Sequence, residues 1–96
     1  MNPVYIVSAV RTPIGSFGSS LSSLSATALG GHAVKSALEK ANINASHVDE
    51  LLMGNVISAG LGQAPATQVA SHAGMGFNIP ATVINKVCAS GMKAIM

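Results

Sequence analysis

The sequence predicts an α/β fold in which a parallel-rich sheet is covered by helices. Three observations carry this. Short apolar, β-branched runs alternate with segments of helical period, the order that right-handed βαβ units impose. Charged residues make up only 8% of the chain, against about 25% in soluble domains. More than a third of the residues are Ala, Gly or Ser, so backbones must approach closely across small side chains.

The elements follow in order. Val4 to Ala9, after Pro3, is a β-branched and aromatic run with the pattern of a strand buried on both faces. Arg11 to Gly18 holds Pro13 and two glycines, and with the Ser-rich stretch to Ser25 it reads as a loop. Ser25 is placed as an N-cap. Beyond it Ala26, Leu29, Gly30, Ala33, Val34, Ala37, Leu38 and Ala41 recur at helical spacing, while His32, Lys35, Ser36, Glu39 and Lys40 fall on the other side. A stripe so rich in Ala and Gly must pack close, and a sheet is the expected surface. Asn42 to Asn44 ends the helix, and Ser46 with Asp49 reads as a capping-box turn into a second strand, Leu51 to Ile57. Gly60 and Gly62 make a loop. Pro65 suits the first helical position and Gly74 a C-cap, which brackets a second helix over 65–73. Ala81 to Asn85 is a third strand, and beyond Cys88 the spacing of Met92, Ile95 and Met96 begins a third helix whose methionines are expected to face a core.

A parallel sheet needs helices on both faces, and these elements are too few to supply them. The reading is therefore that residues 1–96 are the opening portion of a larger domain. Other classes are excluded by composition. Five scattered cations and three aromatic residues do not make a nucleic-acid surface. From Leu51 to Asn85 no residue is formally charged, but glycines, prolines and amides interrupt every apolar run short of the roughly 18 residues a membrane helix needs. No basic n-region or Arg-rich presequence is visible, so a cytoplasmic address is expected. One cysteine cannot form an intrachain disulfide or a cysteine metal cluster.

That cysteine is where chemistry is sought. Cys88 sits where the third strand hands over to the third helix, in Asn85-Lys86-Val87-Cys88-Ala89-Ser90-Gly91-Met92-Lys93-Ala94. A thiol at a helix start meets unpaired backbone N–H groups, which favour the thiolate and can hold a developing oxyanion. Ala89, Ser90 and Gly91 are small enough to admit a substrate carbonyl, which suits acyl transfer. Spacing alone leaves open the alternative that Cys88 is an inert core residue.

The same segment resembles the acyl-cysteine signature of the thiolases, the acetyl-CoA acetyltransferase and 3-ketoacyl-CoA thiolase family. Two further stretches match in the same order: Arg11-Thr12-Pro13-Ile14-Gly15-Ser16-Phe17-Gly18, and Gly54-Asn55-Val56 followed by Gly62-Gln63-Ala64-Pro65-Ala66. The likeness covers essentially all of 1–96. It implies the thiolase fold of layered sheets and helices with duplicated halves, of which this chain is the N-terminal portion. It also implies that Cys88 takes an acyl group from acyl-CoA as a thioester and passes it to an acetyl-CoA carbanion or, in reverse, to CoA. In the family the cysteine's own N–H contributes to an oxyanion hole, while a general-base histidine, a second cysteine and an asparagine-held water lie in later parts of the chain. No cofactor is implied, acetyl-CoA and CoA being substrates, and a homodimer or homotetramer is the expected assembly.

His32, His47 and His72 match no catalytic position and form no ligand pair, so solvated or structural roles are expected. Lys86 and Lys93 bracket Cys88 and are read as solvated, with contact to anionic CoA as the sharper alternative. Arg11 is expected to anchor its loop through carbonyls. Gly15 and Gly18 lack the Lys-Ser/Thr ending of a phosphate loop. Two rival readings remain: a ketoacyl synthase-like condensing enzyme, which would supply two histidines downstream, and a non-catalytic assembly piece whose apolar faces need a partner.

Overall fold

The computed structural model describes residues 1–96. Its elements, in order, are α1 (Ala26–Ala41), a single 3-10 turn (Ala45–His47), β1 (Leu51–Gly54), α2 (Pro65–His72), β2 (Ala81–Ile84) and α3 (Ser90–Ile95).

Helix α1 starts where expected. The Ser25 side chain accepts from the Ala28 N–H at 3.1 Å, and the helix ends on Asn42 in the left-handed region, φ 55°. The Asn42 N–H donates to Glu39 O and the Ile43 N–H to Leu38 O, the paired bonds of a Schellman ending, with Asn supplying the left-handed residue. Helix α2 closes in the same way. Gly74, at φ 79°, donates to Ser71 O while the Met75 N–H donates to Ala70 O. The turn between α1 and β1 is capped by Asn44, whose Oδ1 accepts from the Ser46 N–H at 3.0 Å. Ser46 is thus a capped residue rather than the cap expected of it.

Strands β1 and β2 pair in parallel, Leu51 opposite Ala81 and Gly54 opposite Ile84. Both are shorter than the expected strands Leu51–Ile57 and Ala81–Asn85, and an asparagine follows each. The Asn55 side chain donates to Ser58 Oγ at 2.9 Å, turning the chain before Val56 and Ile57 can extend the ladder. Asn85 Oδ1 accepts from the Val87 N–H at 3.0 Å and does the same for β2.

One face of the sheet, with Leu51, Met53 and Ala81, packs with Val69, Ala70, Ala73 and Met75 of α2 and its ending. The other face receives α3 at Gly54. Helix α1 does not lie on the sheet as expected but mainly on α2. A Cβ at Gly30 would come 2.9 Å from Val69 Cγ2, and one at Gly31 would overlap His72 Cβ. Its buried face runs through Thr27 and Gly31 to Val34 and Leu38, one position round from the Ala26 line. Thr27 is tolerated there because its hydroxyl is bonded to Ser25 Oγ at 3.1 Å.

Three further expectations fail. Val4 to Ala9 forms no strand, since the sheet holds only β1 and β2, and Val4, Tyr5, Ile6 and Val7 are exposed. A strand is defined by its ladder, and this segment pairs with neither edge of the sheet. Lys40 Nζ instead ties it to α1 by donating to Ala9 O at 3.2 Å. Arg11, expected to anchor this region, is exposed. Met92 and Met96 are exposed as well, because α3 meets the sheet through its first residues and nothing covers its outer side. Altogether nine of 96 residues are buried, so the core is a small cluster around α2.

Candidate active site

Cys88 is placed by a tight turn between β2 and α3, and every bond in that turn is local. After Ile84, Asn85 holds the Val87 N–H. Val87 itself is at φ 49°, a left-handed conformation that a β-branched residue resists at a cost of about 1–3 kcal/mol. The Ala89 N–H donates to Lys86 O and the Ser90 N–H to Val87 O, each at 3.1 Å. Ser90 is buried, and its hydroxyl makes two further bonds. It accepts from the Lys86 N–H at 2.8 Å and donates to Val87 O at 2.6 Å. The strained turn is thereby over-determined.

Its seat is β1. A Cβ at Gly54 would lie 2.6 Å from both Gly91 N and the Ser90 carbonyl carbon, so the start of α3 rests directly on the strand backbone. Only glycine permits that approach. The Gly54-Asn55-Val56 stretch therefore has two tasks, with Gly54 seating α3 and Asn55 ending β1. The Gly62-Gln63-Ala64-Pro65-Ala66 stretch is also tied down: Ala64 is left-handed at φ 49° before Pro65, and Gln68 Nε2 donates to Leu61 O at 2.7 Å and to Gln63 O at 2.8 Å.

At the end of this scaffold the Cys88 thiol is free and exposed. The Cys88 N–H donates to no backbone acceptor. Helix α3 has six residues, too few for a large macrodipole, and individual free N–H groups are what it offers. An open groove along α3 is lined by Lys86, Ala89, Met92, Lys93 and Met96. The two lysines that bracket Cys88 in sequence thus share one groove, both exposed. His32, His47 and His72 are exposed on α1, the 3-10 turn and α2.

Ser90 is the residue that sequence reasoning misassigned. It was expected to leave room for a substrate, and it is instead a buried bracket for the turn. A hydroxyl two residues after the cysteine was the only signal, and its use depends on Val87 being left-handed, which nothing about valine announces.

A parallel strand pair with helices on both faces, presenting a cysteine where strand passes to helix, defines an α/β scaffold built around an accessible thiol. Comparison with known proteins makes this specific. The family model for the thiolase N-terminal domain matches residues 4–96, and the chain belongs to the thiolase family. It is 65% identical over 91 residues to an acetyl-CoA acetyltransferase of Schizosaccharomyces pombe, covering 95% of this chain and 23% of that protein. The mitochondrial acetyl-CoA acetyltransferase of Danio rerio is 60% identical over 96 residues, all of this chain and 23% of the relative. Among solved structures, the Acat5 thiolase of Ascaris suum in complex with coenzyme A superposes with a TM-score of 0.91 at 48% identity, over 95% of this chain and 24% of that one. The chain therefore spans about a quarter of the length of these relatives. No helix is long and apolar enough to cross a membrane.

Proposed function

We propose that the full-length polypeptide is an acetyl-CoA acetyltransferase that works through an acyl-cysteine at Cys88. The observation that carries this is the pairing, on one rigid turn, of an exposed thiol with an unbonded N–H on the same residue. The Cys88 thiol gives its proton to a base elsewhere in the polypeptide, and Sγ attacks the thioester carbonyl of acetyl-CoA. An S–C bond forms to the acetyl carbon, the bond to the CoA sulfur breaks, and CoA leaves as a thiolate that takes up a proton. Thioester exchange is nearly isoenergetic, so catalysis depends on forming the thiolate and on stabilising the tetrahedral oxyanion. The Cys88 N–H is suited to the second task. The acetyl group then passes to an acetyl-CoA carbanion, giving acetoacetyl-CoA, and the reverse sequence cleaves it.

Supporting this are the named activities of the Schizosaccharomyces pombe and Danio rerio relatives and the coenzyme A complex of the Ascaris suum thiolase. Assembly as a homodimer or homotetramer belongs to the same proposal, with the uncovered apolar side chains of 1–24 and α3 as surface to bury. A cytoplasmic address is proposed, with the mitochondrial one of the Danio rerio relative as its alternative.

Incubating the full-length protein with acetyl-CoA should add one acetyl mass to the peptide holding Cys88, and Cys88→Ala should abolish both adduct and turnover. Full turnover in Cys88→Ala would sink the proposal. Residues 1–96 alone should show no turnover, since the groups that generate the carbanion must come from elsewhere.

A further inference from the structure

We infer that Ser90 is a positioning residue that aims the Cys88 N–H at the oxyanion. This rests on Cys88 being the acyl-carrying nucleophile. The link is the planarity of one peptide unit. The C=O of Val87 and the N–H of Cys88 belong to the same rigid plane and point in opposite directions. Fixing one therefore fixes the other. The Ser90 hydroxyl donates to Val87 O at 2.6 Å and the Ser90 N–H donates to the same oxygen at 3.1 Å, so two donors from one residue hold that carbonyl inward and turn the Cys88 N–H outward, where it has no acceptor.

The hydroxyl is anchored from behind by the Lys86 N–H at 2.8 Å. Three groups thus form a chain, from Lys86 N–H to Ser90 Oγ–H to Val87 C=O, that ends on the peptide carrying the Cys88 N–H. Donation into a carbonyl polarises its peptide and strengthens the N–H on the other side. Ser90 is 5% exposed, so water does not replace the hydroxyl at no cost. Val87, at φ 49°, tends to relax out of its left-handed conformation, and such a relaxation would rotate the peptide plane that Ser90 holds.

Two reactions of the same thiol separate aiming from mere support. Acetyl transfer from acetyl-CoA develops an oxyanion; alkylation by iodoacetamide, a displacement at a CH₂ carbon, does not. In the full-length enzyme, Ser90→Ala should slow acetylation of Cys88 by about 10- to 100-fold, as for a weakened oxyanion donor, while alkylation stays within about twofold. A role confined to folding would slow both together. The isosteric pair Ser90→Thr and Ser90→Val carries the same comparison if Ser90→Ala does not fold, with Thr keeping the parent ratio of the two rates and Val losing it. A ratio unmoved by loss of the hydroxyl overturns the inference. If the parent enzyme forms the acetyl adduct and the ratio is unmoved, Ser90 alone is misassigned; if the parent forms no adduct at Cys88, the proposed function falls and the inference with it.

Discussion

Val4–Ala9 and β2 are built from the same kinds of residue, and they end in opposite states. Ala81–Ile84 exchanges ladder bonds with Leu51–Gly54 and lies under α2 and α3. Val4–Ala9 has no partner strand, and Val4, Tyr5, Ile6 and Val7 stand in solvent. β-propensity describes how a residue fits a pleated, half-buried surface, and where no such surface is offered it has nothing to act on. Within residues 1–96, order follows the places where backbones can come together across small residues: Gly30 and Gly31 between α1 and α2, and Gly54 beneath α3.

The sharpest way to break this comparison is at Gly54. In the 96-residue chain, Gly54→Val should cost about 4 kcal/mol or more, since its Cβ meets backbone that cannot give way, and a urea midpoint unchanged from the parent would show that α3 is not seated there. Leu51→Ala, which empties the sheet side of the core cluster, should cost about 2–4 kcal/mol. Asn42→Ala forces a Cβ-bearing residue without a local polar partner into the left-handed ending of α1 and should cost about 1 kcal/mol, with Asn42→Gly restoring it. Ile6→Ala should move stability by no more than about 0.5 kcal/mol. If Ile6→Ala costs as much as Leu51→Ala, the N-terminal segment is packed after all and the contrast dissolves.

What could be read beforehand follows the same line. Local signals were legible: Ser25 as a cap, Asn42 and Gly74 as endings, Pro65 as a first helical residue, and the two runs that became β1 and β2. Whatever depended on a neighbour was not. Helical spacing runs the apolar line of α1 through Ala26, whereas the buried position is Thr27, its hydroxyl bonded to Ser25 Oγ. The methionines of α3 look like core and have none to enter. At the site, the position of Cys88 between strand and helix followed from spacing, and its proposed chemistry from the motif around it. The bracket formed by Ser90 did not, because it exists only once Val87 has adopted a backbone conformation that its own side chain opposes.

The two exposed lysines that bracket Cys88 in sequence and line one groove have a practical consequence for proteolysis. Trypsin cuts after each, so Val87, Cys88 and Ser90 leave together on one short peptide, Val87–Lys93, bounded by residues of the groove. In the folded chain the two cuts are not equivalent. Lys86 lies in the turn, whereas Lys93 lies within α3 and its N–H is bonded to Ala89 O, so that bond is cleaved only when the helix opens. The delay between the first cut and the second times the opening of α3.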